Sequence, residues 1–80
     1  MFQETEPVCR VCHALAQGMH FGVEACRACA AFFRRSINLK RRYVCRSGSH
    51  KCKLFNARNV CRKCRLQKCF EVGMLEESMF

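Results

Sequence analysis

Three CxxC cysteine pairs, a wider fourth pair and a formal charge of +9 in only 80 residues predict a small, zinc-stabilised, α-rich domain. The pairs are Cys9/Cys12, Cys26/Cys29, Cys45/Cys52 and Cys61/Cys64. A chain this short buries only about 60% of its unfolded surface, so its core needs reinforcement. Nine cysteines can supply it, either as disulfides or as metal ligands. The N-terminal MFQETEPVCR has no apolar run of signal-peptide length, and no segment is long and apolar enough to span a membrane. The expectation is therefore a reducing compartment, and metal rather than disulfides.

A CxxC lets two sulfurs reach one tetrahedral ion at about 2.3 Å each. One such pair is weak evidence, because CxxC also serves redox chemistry. Three of them with a fourth, wider pair point to two sites of four sulfurs. The simplest assignment is sequential, with Cys9, Cys12, Cys26 and Cys29 on one ion and Cys45, Cys52, Cys61 and Cys64 on the other. The competitor is the interleaved cross-brace of RING domains, which usually includes a histidine and a tighter third pair. Sites closed by four sulfurs leave no open position, so both ions are expected to be structural. No acid–base pair stands near a three-ligand site, so no enzyme is expected. The ninth cysteine, Cys69, lies at helical spacing from Leu66 and beside Phe70; it reads as a buried apolar residue, with a reactive thiol as the alternative.

Residues 13–23, HALAQGMHFGV, read as a loop with Gly18 and Gly22 as turn signals. A first helix is expected from about residue 24 to 39. At about 100° per residue, Cys29, Phe32, Phe33 and Ser36 share one side, with Cys26 and Ile37 at its edge. The other side carries Arg27, Ala31, Arg34 and Asn38, flanked by Arg35, Ala28 and Ala30. This face is small near its start and cationic further on. Residues 40–59 read as a basic loop with a turn at Ser47-Gly48-Ser49. A second helix is expected to begin at Val60 or Cys61, with Asn59 as N-cap and Gly73 as the C-terminal stop. The apolar stripes have only each other to cover them. Phe32, Phe33, Ile37, Leu66, Cys69 and Phe70 should form their shared core, which favours packing over base-stacking for the two phenylalanines.

Eight thiolates on two divalent ions lower the formal charge by four, leaving about +5. A basic surface suggests an anionic partner, nucleic acid or an acidic membrane, with simple solubility as the bland alternative.

The motifs CRVC, HFGVEACRACAAFFRRSI, the Cys45 to Cys64 frame and RNVCRKCRLQKCFEVGM resemble the DNA-binding domain of nuclear receptors. The likeness runs from Cys9 to Met74. It implies two four-cysteine zinc modules, about 9–29 and 45–64, with two perpendicular helices. A C-terminal extension would begin at residues 75–80. It also implies a nuclear, sequence-specific transcription factor that binds double-stranded DNA at a hormone-response-element-like half-site, as a monomer, homodimer or heterodimer. The first helix would enter the major groove. Arg35 matches the family's guanine-contacting arginine, and a guanidinium fork suits guanine O6 and N7. Arg34 matches a basic position on the phosphates. His20, Tyr43, Arg58 and Arg65 match further DNA contacts, each with a solvated or structural side chain as the alternative.

The departures from the family pattern bear on specificity. Where the family commonly has CEGCKGFF, this chain has CRACAAFF. Arg27 replaces a glutamate that accepts from cytosine, and Ala30 replaces a guanine-reading lysine, so the usual AGGTCA-type half-site is not expected. Arg27 would favour guanine or phosphate, and Ala31 offers a methyl-sized contact to thymine. The pattern looks like a divergent, nematode-type subgroup. Six residues separate Cys45 from Cys52 and eight separate Cys52 from Cys61, where the family has five and nine. Lys51 occupies the usual cysteine position; Cys52 is the expected ligand, with His50 as the alternative. The last residues, LEESMF, lack the basic grip that many members place there. The rival reading is a zinc-based protein-interaction module whose basic helix meets an acidic partner.

Overall fold

The computed structural model describes residues 7–54 and 60–75. Its elements run in the order β1 (Met19–His20), β2 (Val23–Glu24), α1 (Arg27–Asn38) and α2 (Arg62–Glu71). The expected N-cap Asn59, the proposed contact Arg58 and most of the 75–80 extension lie outside the described residues.

The first segment folds around its cysteines. Between Cys9 and Ala14 the chain makes a tight knuckle, closed by Cys9 N–H to Ala14 O at 2.7 Å and His13 N–H to Cys9 O at 2.9 Å. An antiparallel bridge between Val8 and Leu15 follows from the reversal. The expected loop over 13–23 is more ordered than its glycines suggest. β1 and β2 form an antiparallel hairpin, with Met19 opposite Glu24 and His20 opposite Val23. Phe21 and Gly22 make its two-residue turn, both at positive φ (55° and 96°), the signature of a type I′ turn. Because Val23 and Glu24 are in the hairpin, α1 starts at Arg27 and not near Glu24.

Cys26 is the N-cap of α1: its backbone is extended and its sulfur accepts the Cys29 N–H at 3.4 Å. This sulfur thus satisfies one of the helix's orphan donors. α1 ends in a Schellman turn: Lys40, at φ 51°, donates to Ile37 O, and Arg41 donates to Ser36 O at 2.9 Å. α2 starts at Arg62, one or two residues later than expected, and its N-cap is Cys61 in place of the expected Asn59. Its end follows the sequence reading. Gly73 takes φ 104°, its N–H reaches Phe70 O at 3.1 Å, and Met74 N–H reaches Cys69 O at 3.0 Å. This second Schellman turn folds Met74 back under the helix, where it is 2% exposed. Leu75 N–H then bonds to Phe21 O at 3.0 Å, joining the end of α2 to the hairpin turn.

Gly73→Ala is expected to destabilise the zinc-loaded chain by about 1 kcal/mol, because an L side chain disfavours this conformation. A methyl there would stand 3.8 Å from Val23 Cγ1, an ordinary contact, so the cost is in the backbone. At this size it corresponds to about 4–8 °C in Tm. An unchanged melting curve would show that the turn does not hold Met74.

The helices meet where the sequence places their apolar stripes. Phe33 is fully buried, 5.0 Å from the Phe21 ring and edge-on to Phe70 at 5.4 Å. Phe32 and Cys69 are buried, and Ile37 and Leu66 pack partly buried against them. Two expectations need correction. Phe70 keeps 49% of its surface exposed, because only its contact with Phe33 is covered. Ala30 is buried and does not flank the outer face. The core also takes in Val11, Ala25 and Met74, all outside the helices.

Candidate metal centres and nucleic-acid interface

The eight paired cysteines converge as two clusters, Cys9–Cys12–Cys26–Cys29 and Cys45–Cys52–Cys61–Cys64, with the sulfurs of each within 4.8 Å of one another. This is the sequential pairing, not the cross-brace. The Cys12 and Cys26 sulfurs are 3.7 Å apart, Cys45 and Cys52 3.7 Å, and Cys45 and Cys64 3.8 Å. A disulfide needs about 2.05 Å. A tetrahedron of sulfurs around zinc at about 2.3 Å has edges of about 3.8 Å, which is the spacing seen.

The surroundings also suit a cation. Backbone N–H groups of Val11, Cys29 and Cys52 point at the sulfurs of Cys9, Cys26 and Cys64, each at 3.4 Å. In the first cluster, burial pushes the Cys12 thiol up to about 11, and burial likewise raises Cys29. Burial also opposes ionisation of Cys9, but N–H groups of Cys12, Cys26 and Val11 outweigh it and bring Cys9 to about 7. In the second cluster the Ser47 hydroxyl brings Cys45 down to about 5. The Cys52 N–H favours a Cys64 thiolate, yet burial and the neighbouring sulfurs push Cys64 up to about 12. Four sulfurs within 4.8 Å of one another repel as thiolates, and a cation among them removes that repulsion. Both sets fit a divalent, thiolate-preferring ion.

The Ser47-Gly48-Ser49 turn does more than reverse the chain. Ser47 Oγ lies 3.4 Å from Cys45 Sγ and 3.5 Å from Cys52 Sγ, and Ser49 N–H donates to Ser47 Oγ at 3.2 Å. His50 faces away from the sulfurs, with Nδ1 2.7 Å from Lys63 Nζ. Cys52 therefore completes the cluster and His50 does not. Cys69 is fully buried and its thiol is pushed up to about 12 by that burial, which fits the apolar reading and not a reactive thiol.

On α1 the outer face follows the sequence reading except at Ala30. Arg27, Ala28, Arg34, Arg35 and Asn38 are exposed and Ala31 is half-buried. His20, half-buried in the hairpin, has Nε2 3.1 Å from Gln17 O. Gln17 was not expected to matter, yet its Oε1 accepts the Arg27 N–H at 3.0 Å and its N–H bonds Ala25 O at 3.0 Å. It anchors the first turn of α1 from ten residues upstream, and no local pattern signals this. Tyr43 packs on the Phe32 ring at 5.6 Å and its hydroxyl is 2.8 Å from Ser36 Oγ. Arg65 turns inward, onto Phe32 and Cys29. The sequence does carry that signal: Arg65 is four residues from Cys69, on the buried stripe of α2.

The sequence pattern of the C4-type double treble clef zinc finger matches residues 7–76. The chain belongs to this family, that of nuclear receptor DNA-binding domains. The C4 domain is 53% identical over 72 residues to nuclear hormone receptor family member nhr-12 of Caenorhabditis elegans, covering 90% of this chain and 16% of the relative. It is 51% identical over 73 residues to nhr-86 of the same organism, covering 90% and 18%. It is also 51% identical over 71 residues to nhr-28 of Caenorhabditis briggsae, covering 89% and 16%. The C4 domain thus spans less than a fifth of the length of these curated relatives. It is a binding module and not an enzyme.

Proposed function

We propose that the C4 domain binds double-stranded DNA sequence-specifically, in the nucleus, as the DNA-reading part of a nuclear receptor transcription factor. Two structural zinc ions, one per cysteine cluster, would hold α1 for the major groove. The observation that carries this reading is the exposed face of α1, where Arg27, Arg34 and Arg35 project beside small alanines, opposite a buried face pinned by Cys26 and Cys29. A helix with such a face fits a groove about 12 Å wide and presents cations to both phosphates and base edges. His20, Ala31, Tyr43 and, from the resemblance, Arg58 and Arg65 complete the proposed contact set. The Tyr43 hydroxyl, bonded to Ser36, keeps a further hydrogen-bonding position for a second partner.

Selection from a random duplex library tests the reading. A preferred sequence with steep salt dependence supports it; equal, weak binding to all duplexes would leave the protein-interaction module standing. Arg34→Ala is expected to weaken binding to every sequence and flatten the log–log salt slope by about 0.9, as for one lost phosphate contact. Arg35→Ala should also relax preference at one base pair, costing about 1–3 kcal/mol there. Equal losses on all sequences for Arg35→Ala would reduce it to a phosphate contact. Arg27 is expected to shift the selected sequence most, and an unchanged selection with Arg27→Glu and Arg27→Ala would remove it from the readout.

A further inference from the structure

Arg65 sits between two metal clusters. Its chain neighbour Cys64 belongs to the second cluster, while its own Nη2 lies 3.5 Å from Cys29 Sγ of the first. Its guanidinium carbon stands 4.5 Å from the centre of the Phe32 ring. Its Nε is buried and has no hydrogen-bond partner. A guanidinium is costly to bury unless something negative faces it. The group facing this one is a sulfur of the first cluster, and four thiolates around a divalent zinc leave that cluster with two negative charges.

We propose that Arg65 is a positioning residue that clamps the Cys29 corner of the first zinc site to α2, and so sets how firmly the first zinc ion is held. The clamp rests on the zinc reading above. Its logic is that of an outer partner to a metal ligand. The donor stabilises the charged sulfur and fixes its direction, and stacking on Phe32 fixes the donor. Cys29 and Phe32 both lie on α1, so the same contact ties the groove-facing helix to the second module. A lysine could supply charge but neither the planar fork nor the stacked face.

The test is the release of zinc from the zinc-loaded chain to a chromogenic chelator, for wild type, Arg65→Lys and Arg65→Met. Zinc content is measured first. The expected result is that the wild type holds two equivalents and that Arg65→Met releases one of them about 10–100-fold faster, the usual loss on removing an outer partner. Arg65→Lys should behave more like Arg65→Met than like wild type. With cobalt in place of zinc, the sulfur-to-metal absorption should change for one site only. If Arg65→Met fails to fold, Arg65→Lys still decides, since it keeps the charge and most of the stem. Release at the wild-type rate from both sites in Arg65→Lys would overturn the clamp. A wild-type chain that folds with no bound metal would overturn the zinc reading itself, and the metal analysis separates that failure from the first.

Discussion

Stripping both zinc ions from the chain with a strong chelator is expected to abolish its helix content. The buried residues explain why. Among the described residues, the only buried apolar side chains larger than alanine or cysteine are Val11, Phe32, Phe33 and Met74. Six of the cysteines in the same core, Cys9, Cys12, Cys26, Cys29, Cys45 and Cys64, are sulfurs of the two clusters. A structural zinc site contributes about 10–16 kcal/mol of binding energy, which in such a chain is folding energy. Two such sites together exceed the whole stability of a typical domain this size, about 4–12 kcal/mol at the usual range per residue. The N-caps of α1 and α2 are cluster cysteines, so losing metal also loosens the start of each helix. Circular dichroism followed alongside zinc content checks this, and native helix content at zero bound zinc would refute it. Acidification acts in the same direction. Protons compete with zinc for the sulfurs, so stability should fall as pH falls and zinc should be released with it.

Phe33→Ala should cost about 3–5 kcal/mol, the range for emptying a buried phenylalanine site. Among the described residues Phe33 is the largest fully buried side chain, and it touches both the hairpin through Phe21 and the end of α2 through Phe70. Each aromatic contact adds about 0.5–1.5 kcal/mol beyond area burial. The neighbours cannot collapse into the gap readily, because the knuckle, α1 and α2 are each held by cluster cysteines. At about 4–8 °C per kcal/mol, Tm should drop by more than about 12 °C. Thermal denaturation of the zinc-loaded protein reads it, with Phe33→Leu as a milder companion. A shift of only a few degrees would show that the metal clusters carry the fold without this contact.

The proposed specificity of the domain is local by comparison. Arg27, Arg34 and Arg35 are exposed, so replacing them should alter DNA affinity while leaving the melting curve within about 0.5 kcal/mol of wild type. Gln17 differs in kind. Its side chain holds the Arg27 N–H. A change there would act on the orientation of the first turn of α1.

The sequence by itself determined the cysteine frame, the existence of both helices and which face of α1 is buried. Fixed spacing carries each of these. CxxC puts the two sulfurs of a pair within reach of one ion, a 3.6-residue period sorts Phe32, Phe33 and Ser36 from Arg34 and Arg35, and Gly73 marks a turn that other residues disfavour. Only the tertiary structure decided which cysteine pairs share a cluster, the hairpin, the true start of α1, the Gln17 anchor, and the burial of Val11, Ala25 and Met74. The hairpin has two residues per strand, too few for a period of two to be visible. Val11, Ala25 and Met74 lie in irregular backbone, where no period exists to read. They are buried because the sulfur clusters and the Schellman turn fold their segments onto the helices. Phe70 stays half-exposed for the converse reason: α2 is only ten residues long, and beyond Phe33 the described residues supply little to cover the ring. Periodicity reports which side of an element is apolar, but how much of that side is covered depends on what the rest of the chain can bring to it.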